Sequence, residues 1–257
     1  MTRPTRLWPL LTGTHRYEKT VSTRDRGHGQ FIDAPILAYL IETPHGRVLY
    51  DVGCDYAKIA DAARRSHYFD AMRPQFEPPV MTPEQRIPSY LARLGLTAKD
   101  IDVVFIGHLH FDHAGGLCDL PGCEVHVHAA ELEAAASGED DGVFQVELSS
   151  SAAWRLQTGE YSVCSGVHAL DTPGHTAGHM SMMVELPTGR PVILCGDAAD
   201  LSENLDDEVA PGYCWQDNES LALQSIRKLK ALAREHGADL WPNHDFAFFR
   251  TLPPWSG

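Results

Sequence analysis

Apolar and polar positions along the chain switch repeatedly between a strand-like and a helix-like rhythm, which predicts a mixed α/β protein. FIDAPILAYLIET (31–43) and RVLYDVG (47–53) are strand-like runs, and PHG (44–46) between them makes a tight turn, so the pair is expected as a hairpin. DYAKIADAARR (55–65) has helical spacing. Residues 66–81, SHYFDAMRPQFEPPVM, hold too many prolines for a helix and read as a loop with exposed aromatics. Thr82 as cap, Pro83 at the first helical position and Gln85 reaching back open a helix that runs to about Leu94 and stops at Gly95.

IDVVFIG (101–107) follows as a buried strand, CEVHVH (123–128) as another, AAELEAAAS (129–137) as a helix and GEDDG (138–142) as an acidic loop. VHALDTPG (167–174), HMSMMVEL (179–186) and RPVILCGD (190–197) read as three strands. ESLALQSIRKLKALAREH (219–236) is an amphipathic helix ending at Gly237, and ADLWPNH (238–244) is a final strand. Repeats, low-complexity tracts and linkers are absent, so a single domain over residues 1–257 is expected.

Composition narrows the partners. The chain has 257 residues, with 43% hydrophobic and 22% charged positions, ordinary for a globular protein. A net charge of −14 repels nucleic-acid backbones and anionic membranes, so neither is expected as a partner. MTRPTRLWPLLTGTHRY is interrupted by Pro9 and does not resemble a secretory leader, and no apolar run is long enough to span a bilayer. A cytoplasmic location follows as the default. The six cysteines form no CxxC pair and read as free thiols. Nothing in the pattern decides between a monomer and a homodimer.

The chemistry concentrates at predicted strand ends. In GHLHFDHAGG (107–116), His108 and His110 are two apart in extended chain and point the same way. Asp112 and His113 come after the chain turns and can reach a second ion, while Gly115 and Gly116 permit a sharp turn into a following helix. His175, Asp197 and His244 each follow another predicted strand, where sites in α/β sheets gather. The donors sort into His108, His110 and His175 for one ion and Asp112, His113 and His244 for another, with Asp197 able to bridge both. Nitrogen and oxygen donors without thiolate suit zinc, and also cobalt, manganese or iron. His126 and His128 mimic the pair at 108 and 110 but lack a following carboxylate, and read as structural. His179 reads as a supporting or core residue, Cys195 as core, and His15, His28, His45, His67, His168 and His236 carry no pattern.

HxHxDH at 108–113, followed in order by His175, Asp197 and His244, resembles the metallo-β-lactamase superfamily. HLHFDHAGG, TPGHTAGHMS, ENLDDEVAPG and SLALQSIRKLKAL narrow the resemblance to the N-acyl homoserine lactonases, as does the hairpin DAPILAYLIETPHGRVLYDVG. The resemblance covers about residues 30–245. It implies an αββα sandwich, two divalent ions, most simply zinc, along one edge, and quorum-quenching hydrolysis of a small-molecule lactone by a metal-bridging hydroxide. Asp112 is then the group that carries a proton to the leaving alkoxide. Tyr68, Phe69, Met72 and Phe76 are candidates for an apolar wall around an acyl chain. One position departs from the lactonases: Asp200 stands where they carry a tyrosine three residues after the bridging aspartate, and Tyr213 is the candidate substitute. Rival readings within the superfamily are hydrolysis of another small lactone, an aryl ester or a phosphotriester, and a glyoxalase II-like thioesterase. The last would need a basic patch in the tail FAFFRTLPPWSG, which holds one arginine. A non-catalytic metal-binding scaffold would call for a degraded donor set, and this one is complete.

Overall fold

The computed structural model describes residues 6–72, 75–148, 152–187 and 189–252. Strands β1 (Arg6–Glu18), β2 (Phe31–Thr43), β3 (Gly46–Tyr50), β4 (Val103–Phe105), β5 (Glu124–His128) and β6 (Ala153–Gln157) form one sheet in that order. β7 (Tyr161–Cys164), β8 (Val167–Asp171), β9 (Met180–Val184), β10 (Val192–Leu194) and β11 (Asp239–Trp241) form the second, in the order β11-β10-β9-β8-β7. Short helices α1 (Tyr56–Ala60), α2 (Ala62–Phe69), α3 (Ile87–Arg93), α4 (Phe111–Ala114), α5 (Ala129–Ala136), α6 (Gln145–Leu148) and α7 (Ser202–Asp206) punctuate the chain; α8 (Glu219–His236) is long, and α9 (Phe246–Phe249) follows β11.

Alternation along β2 explains the layering. Leu37, Tyr39 and Ile41 pack with Tyr50, Phe105, Met180, Met182 and Leu194 between the two sheets, while Ala38 and Leu40 face the opposite core with Ile87, Leu91 and Leu117. A third core lies outside the second sheet, where Ile226, Leu229 and Ala233 of α8 meet Ile193 and Cys195. Helices thus cover the outer face of each sheet, giving the αββα sandwich. Asn218 caps α8 by accepting from the Leu221 N–H at 3.1 Å, and Gly237 ends it in the left-handed conformation, φ 62°.

Several elements differ from the sequence expectation. β1 was not foreseen, nor were β6 and β7. The stretch 55–65 is two helices, because Asp61 accepts from the Arg64 N–H and restarts the helix, which then extends to Phe69. The stretch 66–81 is therefore partly helical, and its aromatics are not exposed: Phe69 is buried and Tyr68 and Phe76 are half-buried. Arg73 and Pro74 of that stretch lie outside the described residues, as do 1–5 and 253–257 at the ends. Thr82 and Gln85 make the foreseen capping contact, 2.9 Å, but around a 3-10 turn (Pro83–Gln85), and the helix proper starts at Ile87. Among the described residues no helix is long and apolar enough to cross a membrane, and all six cysteines are free.

Candidate metal centre

β4, β8, β10 and β11 end on the same side of the sandwich, and the seven donors sit just past those ends. Two contacts clip the sheets together here: the Met180 N–H donates to Gly107 O, 2.9 Å, and the Tyr50 hydroxyl to Met180 O, 2.9 Å. The glycines of the motif act differently from expectation. α4 already starts at Phe111, ahead of them; a Cβ on Gly115 would lie 2.5 Å from the Asp55 nitrogen, and one on Gly116 2.2 Å from Val52 O. They admit the chain after β3 rather than a turn.

His108, His110, His175 and Asp197 present ligand atoms within 4.8 Å of one another, and so do Asp112, His113 and His244. Asp197 stands between the two groups with one oxygen toward each. Its Oδ2 lies 3.7 Å from His108 Nε2 and 3.4 Å from His175 Nε2, whereas Oδ1 lies 3.2 Å from His113 Nε2 and 3.3 Å from His244 Nε2. Asp112 Oδ2 is 3.8 Å from His244 Nε2. All seven are buried.

The other ring nitrogens are tied to the scaffold. His110 Nε2 meets Asp140 at 3.0 Å, His113 Nδ1 meets Asp51 at 2.7 Å, His175 Nδ1 meets Tyr213 O at 3.2 Å and His244 Nδ1 meets Pro35 O at 2.8 Å. Such partners fix the tautomer and aim the remaining nitrogen inward. Asp51 also accepts from the Gly107 N–H at 2.8 Å, with its own backbone left-handed at φ 57°. Glu131 accepts from the Leu109 and Gly178 N–H groups, joining the two histidine-bearing loops. His179 Nε2 accepts from the Asp197 N–H at 2.9 Å, the supporting place foreseen for it.

Divalent cations fit this cluster. His108 Nε2 and His113 Nε2, both facing Asp197, are buried without a hydrogen-bond partner, a costly condition that coordination relieves. Charge points the same way. Burial alone would raise the Asp197 carboxyl, but His113 and His244 outweigh it and hold it well below its usual range. Burial opposes charge on His110 and His244 as well, yet Asp140 lifts the first to about 9 and Asp197 the second to about 10. Burial wins at His108, which is held well below its usual value, and at His175, which falls to about 4. The buried carboxylates demand positive charge at their centre.

A cavity of about 560 Å³ opens above the cluster. Tyr68, Met72, Phe76, Asp112, Asp200 and Tyr213 line it. Phe69 does not: it packs behind, its ring 5.4 Å from Phe111 and 5.6 Å from Phe144. Phe111 and Phe144, stacked at 5.1 Å, are wall residues that the sequence reading missed. Lys58, bound to Glu147 at 2.7 Å, backs this wall with its ammonium 5.1 Å from the Tyr68 ring. His15 carries no sequence pattern, yet it lines the cavity, buried between Tyr17, Phe76 and Phe111, and burial lowers it to about 4. His67 also lines the cavity. Tyr213 stands half exposed at the rim, 5.9 Å from the His110 ring. Asp200 is buried, and burial followed by the Asp197 charge raises it to about 8. His126 bonds Tyr161 and Glu124 while His128 caps α5, so both are structural as expected.

The comparisons agree with this geometry. Residues 32–244 match the metallo-beta-lactamase superfamily. An N-acyl homoserine lactonase from Bacillus sp is 34% identical over 217 residues, covering 84% of each chain. N-acyl homoserine lactonase AttM from Rhizobium radiobacter is 26% identical and covers 96% of this chain and 97% of its own. Among solved structures, an N-acyl homoserine lactone hydrolase with the product N-hexanoyl-L-homoserine at its catalytic metal center superposes with a TM-score of 0.89, at 28% identity over 98% of both chains. With the αββα layers and the metal-ligand order both in place, the chain belongs to the metallo-beta-lactamase superfamily.

Proposed function

We propose that this protein is a metal-dependent hydrolase that opens the ring of N-acyl homoserine lactones. The observation that carries the reading is the join of floor and wall. Five of the seven metal-ligand side chains, His110, Asp112, His175, Asp197 and His244, form the floor of a cavity whose sides are Tyr68, Met72, Phe76, Phe111 and Phe144, and His108 and His113 complete the cluster beneath it. The similarity to N-acyl homoserine lactonases over most of both chains supports the same substrate class.

Two divalent cations, most simply zinc, would when bound supply a water of lowered pKa and Lewis acidity toward the ester carbonyl. His108, His110 and His175 would hold one and Asp112, His113 and His244 the other, with Asp197 shared. The chain's own contributions follow from the geometry. Asp140 and Asp51 keep His110 and His113 aimed inward. Asp112, on the cavity surface beside the cluster, carries a proton to the alkoxide as the ring opens. The aromatic wall takes the acyl chain and excludes water from it. The core shared by the two sheets supports a single domain spanning the chain.

The experiment is pH-stat hydrolysis of acyl homoserine lactones of several chain lengths beside aryl esters, a phosphotriester and a glutathione thioester. Chelator-sensitive opening of the lactones is expected. Cleavage of the thioester alone would replace this reading with the glyoxalase II-like one.

A further inference from the structure

Asp200 differs from Asp51, Asp112, Asp140 and Asp197 in having a buried carboxylate oxygen without a hydrogen-bond partner. It follows the 3-10 turn Gly196–Ala198 beyond β10, and only 3% of it is exposed. Its Oδ1 is fully buried and has no hydrogen-bond partner. The backbone holds Asp200 beside the second group of donors: the His244 N–H donates to Asp200 O at 2.8 Å, and the Asn243 N–H to Ala199 O at 3.2 Å. Ligand atoms of Asp197, Asp200 and His244 all lie within 4.8 Å of one another.

We propose that Asp200 Oδ1 is an additional ligand of the ion held by Asp112, His113 and His244. The two halves of the centre then have different chemistry. The first offers three imidazole nitrogens and one Asp197 oxygen, a set that suits tetrahedral zinc. The second offers two nitrogens and oxygens from Asp112, Asp197 and Asp200, a harder set with room for five or six donors, which suits manganese, iron or cobalt. A tyrosine in this place would be an uncharged phenol at neutral pH and would not add that oxygen. The inference rests on the two-ion reading of the cluster.

The test is a metal titration of chelator-stripped protein with Mn²⁺, followed by electron paramagnetic resonance and calorimetry, for the wild type, Asp200→Ala and Asp200→Asn. Co²⁺-loaded samples report donor number through visible absorption, which strengthens as the number falls to four. Both variants are expected to bind two Co²⁺ ions, to hold the weaker Mn²⁺ ion roughly 10- to 100-fold less tightly, and to show stronger Co²⁺ absorption. Asp200→Asn keeps the side chain's shape and carries the test where the alanine variant does not fold. Unchanged Mn²⁺ affinity and an unchanged Co²⁺ spectrum in a folded variant would overturn the proposal and leave the two-ion reading standing. A wild type that binds a single ion would overturn both.

Discussion

The floor and the wall of the cavity are built on opposite principles. The floor, with the cluster beneath it, is polar, buried and over-determined: each of His110, His113, His175 and His244 is held from behind, and four strands of two sheets converge to place it. The wall comes from helices, turns and loops, and its residues touch through ring faces and edges. A buried hydrogen-bonded network fails when one member is lost, because the others are left unpaired. Apolar packing degrades by the area removed. Reactivity is therefore expected to be brittle to substitution, and chain-length preference graded.

The largest effect should come from the bridge. Asp197→Asn removes the negative charge both groups share, which should bring the ion content below two per chain and lower lactone hydrolysis by roughly 10³-fold, several kcal/mol. Elemental analysis beside initial rates checks this, and a full complement of ions with normal rates would erase the distinction between floor and wall.

His15, at the seam between the two regions, gives a pH signature. Unfolded, it takes a proton near pH 6.5, whereas the buried ring resists until about 4. Its contribution is intact above pH 6.5 and is lost as the pH falls from there through 4. Chemical denaturation should show the wild type losing about 2–3 kcal/mol more than His15→Gln between pH 7 and 4.5.

Removing a carboxylate behind a ligand should cost less. Asp51→Asn and Asp140→Asn are each expected to weaken metal binding about 10- to 100-fold, seen by competition with a chromophoric chelator. The smallest effect belongs to the wall. Met72→Ala should raise KM for long-chain lactones about fivefold, close to 1 kcal/mol of lost apolar contact, and leave kcat and ion content unchanged. A fall in kcat instead would show that the wall also positions the reacting ring.

The same contrast governs what could be read from sequence. The seven donors were legible because strand ends and short spacings announce them. β2 and α8 matched to the residue, since each carries an uninterrupted pattern and clear end signals. β1 was hidden by Pro9 and by the irregularity between Leu11 and Gly13. β6 and β7 lie at sheet edges, β6 largely exposed and β7 mostly half-buried, and neither shows an apolar run. Asp51 sits at the end of a predicted strand, and Asp140 in GEDDG looks like a solvated acid. Nothing local marks either as a histidine's partner, because the contacts span 62 and 30 residues. His15 was invisible for the same reason: its importance comes from Phe76 and Phe111, far along the chain.

The most direct test is anomalous diffraction from crystals of the metal-replete protein, with data collected at the absorption edge of the bound element. Two peaks roughly 3.5–4 Å apart, one among His108, His110 and His175, the other among Asp112, His113 and His244, with Asp197 between them, is the predicted result. One peak enclosed by four donors, or peaks away from these residues, would contradict it.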